Sequence, residues 1–306
     1  MKTPSSGHPS TTVVIPLFKS RRFMPTIIAN INALPAHGVE VLISDRHCHD
    51  DTIDQLAQRY ADDPRIRCLK HQDKLDWVAH INSLLEEAQG EYWRFLAHDD
   101  LSPAGSLEAL IHALDSNTDA ILAYGPIKAI DMNDNPLPER DKPDPHPAAA
   151  EASWTLGIAL EMFWTGYFNG AFKGLVRRNI VMQSELLIRS TQDQIYPERC
   201  WLFALCLLGR FHFVPQATYV KRFYEGSVHS RWKITGRNYL SCAHVMSSYL
   251  CDLLKSSEAC SYGTADLKLN AQRYAQWRDN PAKMGKRPSY QPFPDPGKIL
   301  RTLPLP

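Results

Sequence analysis

The sequence has no run of about 18 consecutive apolar residues, the length a helix needs to cross a bilayer. Its most apolar window, Trp201 to Leu208, is far too short. Met1 to Ser10 is polar, holds two prolines and lacks the apolar stretch of a signal peptide. Neither sign of charge is in excess: 34 Lys+Arg face 33 Asp+Glu, a formal net charge of +1. That argues against broad nonspecific nucleic-acid binding, and no nucleic-acid partner is expected, though a local basic patch stays open. The seven cysteines are scattered and odd in number, with no CxxC pair. Cys68 and Cys206 sit in apolar runs and read as buried thiols, so a reduced, cytosolic compartment is the expectation. There is no internal repeat and no long low-complexity segment. What is present is a globular composition, 44% hydrophobic and 22% charged, in 306 residues. That length suits one large domain with an appendage, or two small domains.

The first half alternates strands and helices. Thr11 to Leu17, Val39 to Ser44, Arg65 to Lys70 and Tyr92 to Ala97 read as strands. Arg22 to Ala33, Asp51 to Tyr60 and Asp76 to Ala88 carry apolar residues at helical spacing. Gly90 reads as a left-handed cap. Ser102-Pro103 reads as an N-cap and first helical residue, opening a helix whose buried face is Leu107, Leu110, Ile111 and Leu114. Such alternation predicts a parallel sheet covered on both faces, with ligands outside the carboxyl ends of the strands. In the second half, Ala120 to Asp131, Asn169 to Arg177 and Phe211 to Phe223 read as strands. Pro197 to Leu208 reads as a buried helix, and Asn238 to Leu254 as a last helix. The proline-rich segments 133–150 and from Asp279 onward read as exposed chain.

The sharpest chemical feature is Phe95-Leu-Ala-His-Asp-Asp-Leu-Ser-Pro103. It places two adjacent carboxylates at a strand end, just before a helix. Like charges side by side repel, and a cation relieves the repulsion. A hard divalent ion takes one or two carboxylates and completes its shell with phosphate oxygens and water. The pair therefore suggests metal-assisted handling of a phosphate or diphosphate. His47-Cys48-His49-Asp50 has no second ligand pair at zinc spacing and reads as pocket lining or solvent-facing chain.

Gly90-Glu-Tyr-Trp-Arg-Phe-Leu-Ala-His-Asp-Asp100, with Ser102-Pro103 after it, resembles the metal-motif stretch of family 2 glycosyltransferases. Thr12-Val-Val-Ile-Pro16 resembles that family's first strand, and Ile43-Ser-Asp45 with Asp50 and Thr52 its following turn. Asn82 and Leu84 to Tyr92 resemble the helix leading to the motif. Trp201-Leu-Phe-Ala-Leu-Cys-Leu-Leu-Gly-Arg-Phe-His-Phe-Val-Pro215 resembles a late helix–strand run. The likeness is good over residues 11–115 and weaker to about 230.

The resemblance implies a GT-A fold, a mostly parallel α/β sheet flanked by helices, with a C-terminal helical extension. Residues 1–10 would be a disordered tail and 11–230 the catalytic domain, its nucleotide half at 11–115 and its acceptor half at 116–230. Residues 231–306 would be a helix and a surface-wrapping tail. The implied activity is an inverting transfer from a nucleotide-diphosphate sugar to a glycan or lipid-linked acceptor, in cell-surface polysaccharide assembly. Its cofactor would be Mn²⁺ or Mg²⁺, and its place the cytoplasm, with peripheral membrane contact at most. Asp100 would bind the metal, and Asp99 the metal or the ribose. Pro16, Asp45, Arg46 and Asn82 would line the donor site. Asp193 would be the base, with Glu198 the second choice. Gly170, on a glycine-containing strand, with Trp164 and Tyr167 would face the acceptor.

The pattern departs from the family in three places. Arg46 replaces the second acid of the turn, Lys19 an asparagine, and Tyr224 the histidine of a late run, for which His229 is the substitute metal or diphosphate contact. Two other readings stay open. A sugar-phosphate nucleotidyltransferase would carry a glycine-rich loop after the first strand, and Leu17 to Arg22 has no glycine. A nucleotide- or sugar-binding module that lost catalysis would explain the departures.

Overall fold

A computed structural model describes residues 9–46, 50–144, 154–165, 168–227, 229–295 and 298–305. The strands are β1 Thr11–Leu17, β2 Val39–Asp45, β3 Ile66–Lys70, β4 Tyr92–Phe95, β5 Ala120–Tyr124, β6 Ile127–Ile130, β7 Leu175–Arg177, β8 Arg210–Phe213 and β9 Tyr219–Arg222. The α-helices are α1 Met24–Ala33, α2 Thr52–Arg59, α3 Trp77–Glu87, α4 Ser106–Ser116, α5 Leu156–Thr165, α6 Phe168–Ala171, α7 Arg178–Gln183, α8 Pro197–Cys206, α9 Gly236–Leu253, α10 Ser257–Asp279 and α11 Pro281–Met284.

Seven strands form one sheet in the order β3-β2-β1-β4-β7-β5-β8. β1, β2, β3 and β4 run parallel, as the strand–helix alternation requires, and β7 is antiparallel to both neighbours. The sheet divides two apolar cores. One lies under α1, α2 and α4 and contains Val13, Ile15, Ile27, Leu56 and Leu110. The other contains Val14, Trp93 and Phe95 with the buried side chains of α3, α5 and α8. Alternating residues of β1 and β4 feed opposite cores, as the period of two demands.

Two long stretches read as single strands are each broken in two. Gly125-Pro126 separates β5 from β6, and the turn after Val214 separates β8 from β9; β6 and β9 pair in a small parallel sheet. A Cβ on Gly125 would stand 1.9 Å from the Ala217 carbonyl oxygen, so only glycine lets these two crossings touch. Gly90 is not a left-handed cap either. Its Cα lies against β1, where a Cβ would meet the Thr12 nitrogen at 2.5 Å. Ser102 does not cap α4, which starts at Ser106 after Gly105 at φ 80°. The segment expected as a strand from Asn169 instead begins with α6, which puts Gly170 in a helix.

After Leu254 a second long helix, α10, packs antiparallel on α9 and buries Tyr262, Leu267, Ala271 and Tyr274 in the α5–α8 core. The sequence reading left this helix out. The tail then runs back over the surface. Asp266 accepts from the Phe293 N–H at 2.7 Å and the Tyr290 hydroxyl at 3.0 Å, and the Leu156 N–H bonds the Leu303 carbonyl at 3.0 Å. Cys251 and Cys260 form a disulfide between α9 and α10. Cys68 and Cys206, expected as thiols, are free.

Candidate active site

The carboxyl ends of β1, β2 and β4 open on one edge of the sheet, and the aspartate pair sits there. The two side chains have different surroundings. Asp100 is 3% exposed and fully engaged within the protein. Its Oδ1 accepts from the Arg222 N–H at 2.8 Å; its Oδ2 accepts from the Tyr219 hydroxyl at 2.9 Å and pairs with Lys173 Nζ at 3.1 Å. The Asp100 carbonyl also accepts from Asn30 Nδ2, whose Oδ1 takes the Ser102 N–H. Asp100 thus locks β4 to β9 and to α1. Asp99 is half-buried, and its Oδ2 accepts from the Tyr224 hydroxyl at 2.9 Å. Asp100 is thus buried among internal partners, and Asp99 is the more exposed of the two acids.

Tyr224, which stands where a histidine was expected, is therefore the partner of Asp99. Burial and the Asp99 charge push its phenol up to about 12, so it stays a donor. Arg22 stacks over both the Tyr224 and Phe23 rings at 4.6 Å. Arg222 holds the main chain beneath, its Nε donating to the Asp99 carbonyl and Nη1 to the Asp131 carbonyl.

Of the other expected donor residues, Pro16, Asp45 and Arg46 lie at the adjoining ends of β1 and β2, and Asn82 does not. Pro16 lies at the β1 end, its carbonyl 3.2 Å from His98 Nδ1. Asp45 ends β2 and is 8% exposed; Arg46 stacks on Phe18 at 4.2 Å. Asn82 points elsewhere: its amide clamps Ile188 at both N–H and C=O, 2.9 and 2.8 Å, which is a structural role. Sequence reasoning missed a polar cluster behind Asp45. Ser44 Oγ lies 2.8 Å from His80 Nε2 and 3.1 Å from His71 Nε2. Burial, with His71 and Arg46 nearby, pushes His80 down to about 3, so it is neutral.

The two base candidates also separate. Asp193 is exposed at φ 57°, with Asn238 Nδ2 at 3.3 Å from its Oδ2. Gln194 and Tyr196 are also left-handed, at φ 52° and 64°. Such strain in non-glycine residues persists only where the surroundings enforce it. This bend delivers Pro197 and Glu198 to the first turn of α8. Burial pushes the Glu198 carboxyl up, opposed by the nearby charges of Arg199, Lys221 and Lys173. Burial and the Lys173 charge push Lys221 down, opposed by Asp100 and Glu198. Glu198 thus lies within electrostatic reach of Lys173, the partner of Asp100, and of Lys221. Asp193 is held by the start of α9.

The acceptor-side expectations fare unevenly. Trp164 is 2% exposed and stacks on Tyr274 at 5.0 Å. Gly170 lies near Ile127, 3.5 Å from where its Cβ would stand. Tyr167, His47, Cys48 and His49 lie outside the described residues, and the side chain of His229 is likewise not described. Among the described residues no group of three His, Cys, Asp or Glu is set to hold a metal by itself.

A sheet of this order has known counterparts. The family model for glycosyl transferase family 2 matches residues 12–183, more than half of the chain. The chain belongs to glycosyltransferase family 2. A solved structure of Staphylococcus aureus TarS 1–349 in complex with UDP-GlcNAc superposes with a TM-score of 0.64. It covers 90% of this chain and 76% of that one at 14% identity. The mannosyltransferase PcManGT from Pyrobaculum calidifontis, in complex with GDP-Man and Mn²⁺, gives a TM-score of 0.56 at 15% identity, covering 91% and 73%. Both likenesses speak to the fold, which is the GT-A type. Among curated proteins, the GalNAc(5)-diNAcBac-PP-undecaprenol beta-1,3-glucosyltransferase of Campylobacter jejuni is 29% identical over 104 residues, 34% of each chain. The chain spans about a third or less of the curated relatives it matches.

Proposed function

We propose that this protein is an inverting glycosyltransferase that uses a nucleotide-diphosphate sugar, with Asp99 at the diphosphate and Glu198 as the base. The observation that carries the reading is the split of the acidic pair. Asp100 is consumed by internal bonds, so the half-buried Asp99 is left to meet a ligand at the strand ends, where ligands bind in such sheets. A hard divalent ion held with a diphosphate needs only one or two protein carboxylates. Asp99 fits that requirement, and it is the residue that would hold Mn²⁺ or Mg²⁺. When bound, the ion stabilises negative charge on the leaving diphosphate.

The remaining chemistry rests on the chain's own side chains. An acceptor hydroxyl gives its proton to Glu198 as its oxygen attacks the anomeric carbon. The bond from that carbon to the phosphate oxygen breaks, and the electron pair leaves on the diphosphate. Attack from the opposite face inverts the anomeric centre. A carboxyl raised by burial is a stronger base than a solvated one. Tyr224 orients Asp99, and Lys173 and Lys221 supply positive field beside the pair. Asp45 and Arg46 at the β2 end would flank the nucleoside.

The acceptor we infer is a glycan or lipid-linked saccharide of a cell-surface polysaccharide, met from the cytoplasmic side by peripheral contact. The undecaprenol-linked substrate in the Campylobacter relative's name supports this. No helix among the described residues is long and apolar enough to cross a membrane. The test is turnover of a panel of UDP- and GDP-sugars by wild type, Glu198→Gln and Asp193→Asn, read as released nucleotide diphosphate. Glu198→Gln is expected to lose about a hundredfold or more, with nucleotide binding kept, and Asp193→Asn to stay within a few-fold. The opposite ranking would return the base to Asp193.

A further inference from the structure

A pocket of about 230 Å³ lies between α5, the start of α8, α9, the end of α10 and the tail. Three guanidinium groups, Arg199, Arg278 and Arg287, line it, and no Asp or Glu does. Each arginine is anchored in a way that leaves donors over. Arg278 Nε donates to the Ile234 carbonyl at 2.9 Å, and Arg287 Nη2 to the Trp164 carbonyl at 3.1 Å. Arg199 stacks on Tyr196 at 4.0 Å, and its buried Nε has no partner among the described residues. A guanidinium carries five N–H donors and suits the paired oxygens of a phosphate or carboxylate. Three such groups facing one space whose lining holds no acid repel one another, and an anion in that space relieves the repulsion.

The other walls are aromatic. Trp164, Tyr239 and Trp277 line the same space, and the buried Trp164 Nε1 also has no acceptor among the described residues. Aromatic faces with a polar edge suit a ring that is apolar on its faces and hydroxylated at its rim. The volume is below that of a typical drug-sized pocket and suits one sugar ring rather than several. Position ties it to the reaction. Arg199 follows Glu198 directly, and both belong to the charge cluster that runs through Lys221 and Lys173 to Asp100.

We propose that this pocket binds an anionic sugar, a ring bearing a phosphate or carboxylate, as the acceptor unit presented to Glu198. This rests on the transferase reading above for the word acceptor, while the pocket's preference for an anionic ring stands apart from it. The experiment is calorimetry with protein saturated in UDP and Mn²⁺. The probes are glucose 6-phosphate, methyl glucuronide, methyl glucoside and inorganic phosphate. At least one of the two anionic sugars is expected to bind tenfold or more tightly than the glucoside, and which one separates phosphate from carboxylate. Inorganic phosphate alone is expected to bind more weakly than that sugar. Arg278→Gln with Arg287→Gln, both at exposed positions, should lose that affinity tenfold or more and keep the UDP affinity. Trp277→Ala should weaken the sugar probes but not phosphate. The proposal is overturned if the glucoside binds as well as the anionic sugars, if phosphate alone matches them, if the double variant keeps their affinity, or if no probe binds. UDP binding is measured first in the same cell. Its failure would count against the donor site, while an arginine-dependent preference for an anionic sugar would still hold.

Discussion

Replacing Asp100 by alanine removes an acceptor that serves three groups at once. The Lys173 ammonium, 12% exposed, loses its carboxylate; the Tyr219 hydroxyl and the Arg222 N–H lose their acceptor. Breaking one partner from a buried ion pair costs about 3–5 kcal/mol, and an orphaned donor about 1–3 kcal/mol. These terms overlap, and Lys173 can relax toward the Phe95 ring 4.5 Å away, so about 4 kcal/mol is the working figure. Asp99→Ala removes one hydrogen bond from a half-buried tyrosine, about 1 kcal/mol. Urea unfolding of both variants is the assay. With a slope near 3 kcal/mol/M, Asp100→Ala should drop the midpoint by more than about 1 M and Asp99→Ala by roughly a third of that. Asp100→Asn, which keeps an acceptor and the shape, should fall between. Equal losses for the two alanine variants would refute the division of roles. So would an Asp100→Ala protein of native stability that had lost metal-dependent nucleotide binding.

Other outcomes follow from single groups. Arg94 is buried with all three guanidinium nitrogens unpartnered among the described residues, and burial pulls its pKa down to about 10. Arg94→Met should leave thermal stability unchanged or raise it, by up to about 4 kcal/mol, and a marked loss would contradict an unpartnered guanidinium. His80, pushed down to about 3, binds its proton only in the unfolded chain between that value and about 6.5. Stability should fall as pH drops below about 6.5, by up to about 1.4 kcal/mol per pH unit. Asp266, raised by burial to about 6, runs in the opposite sense over pH 4 to 6, so the wild-type profile mixes the two. The comparison is wild type against His80→Gln at pH 7 and 5, and an unchanged difference would contradict a neutral buried His80. Two more thiols should titrate in denatured protein after reduction than before, reporting the Cys251–Cys260 bond. Equal counts would remove it.

Much of the first half of the chain was legible because its signals are local. Short runs of four to seven residues between amphipathic helices fix β1 to β4, and the acidic pair falls at a strand end by counting. The division between Asp99 and Asp100 was not legible, because it depends on Tyr219, Arg222 and Tyr224, more than a hundred residues away. The choice between the two base candidates was not legible for a similar reason. Asp193 precedes the buried helix and Glu198 lies in its first turn, and the left-handed residues at 193, 194 and 196 shape the turn between them. The breaks after Tyr124 and Phe213 hide in β-prone sequence, and their marker, Gly125, matters only through its contact with Ala217. The α10 helix carries a weak amphipathic pattern because one side meets α9 while the tail covers part of another, through Asp266 and Asn270.

The most direct test of the central claim is calorimetric titration of UDP and GDP into wild type and Asp99→Asn, each with and without Mn²⁺. One of the two nucleotides is expected to bind wild type, Mn²⁺ to tighten it at least tenfold, and Asp99→Asn to abolish this gain. Binding by neither nucleotide, or a Mn²⁺ effect that survives in Asp99→Asn, would contradict the claim.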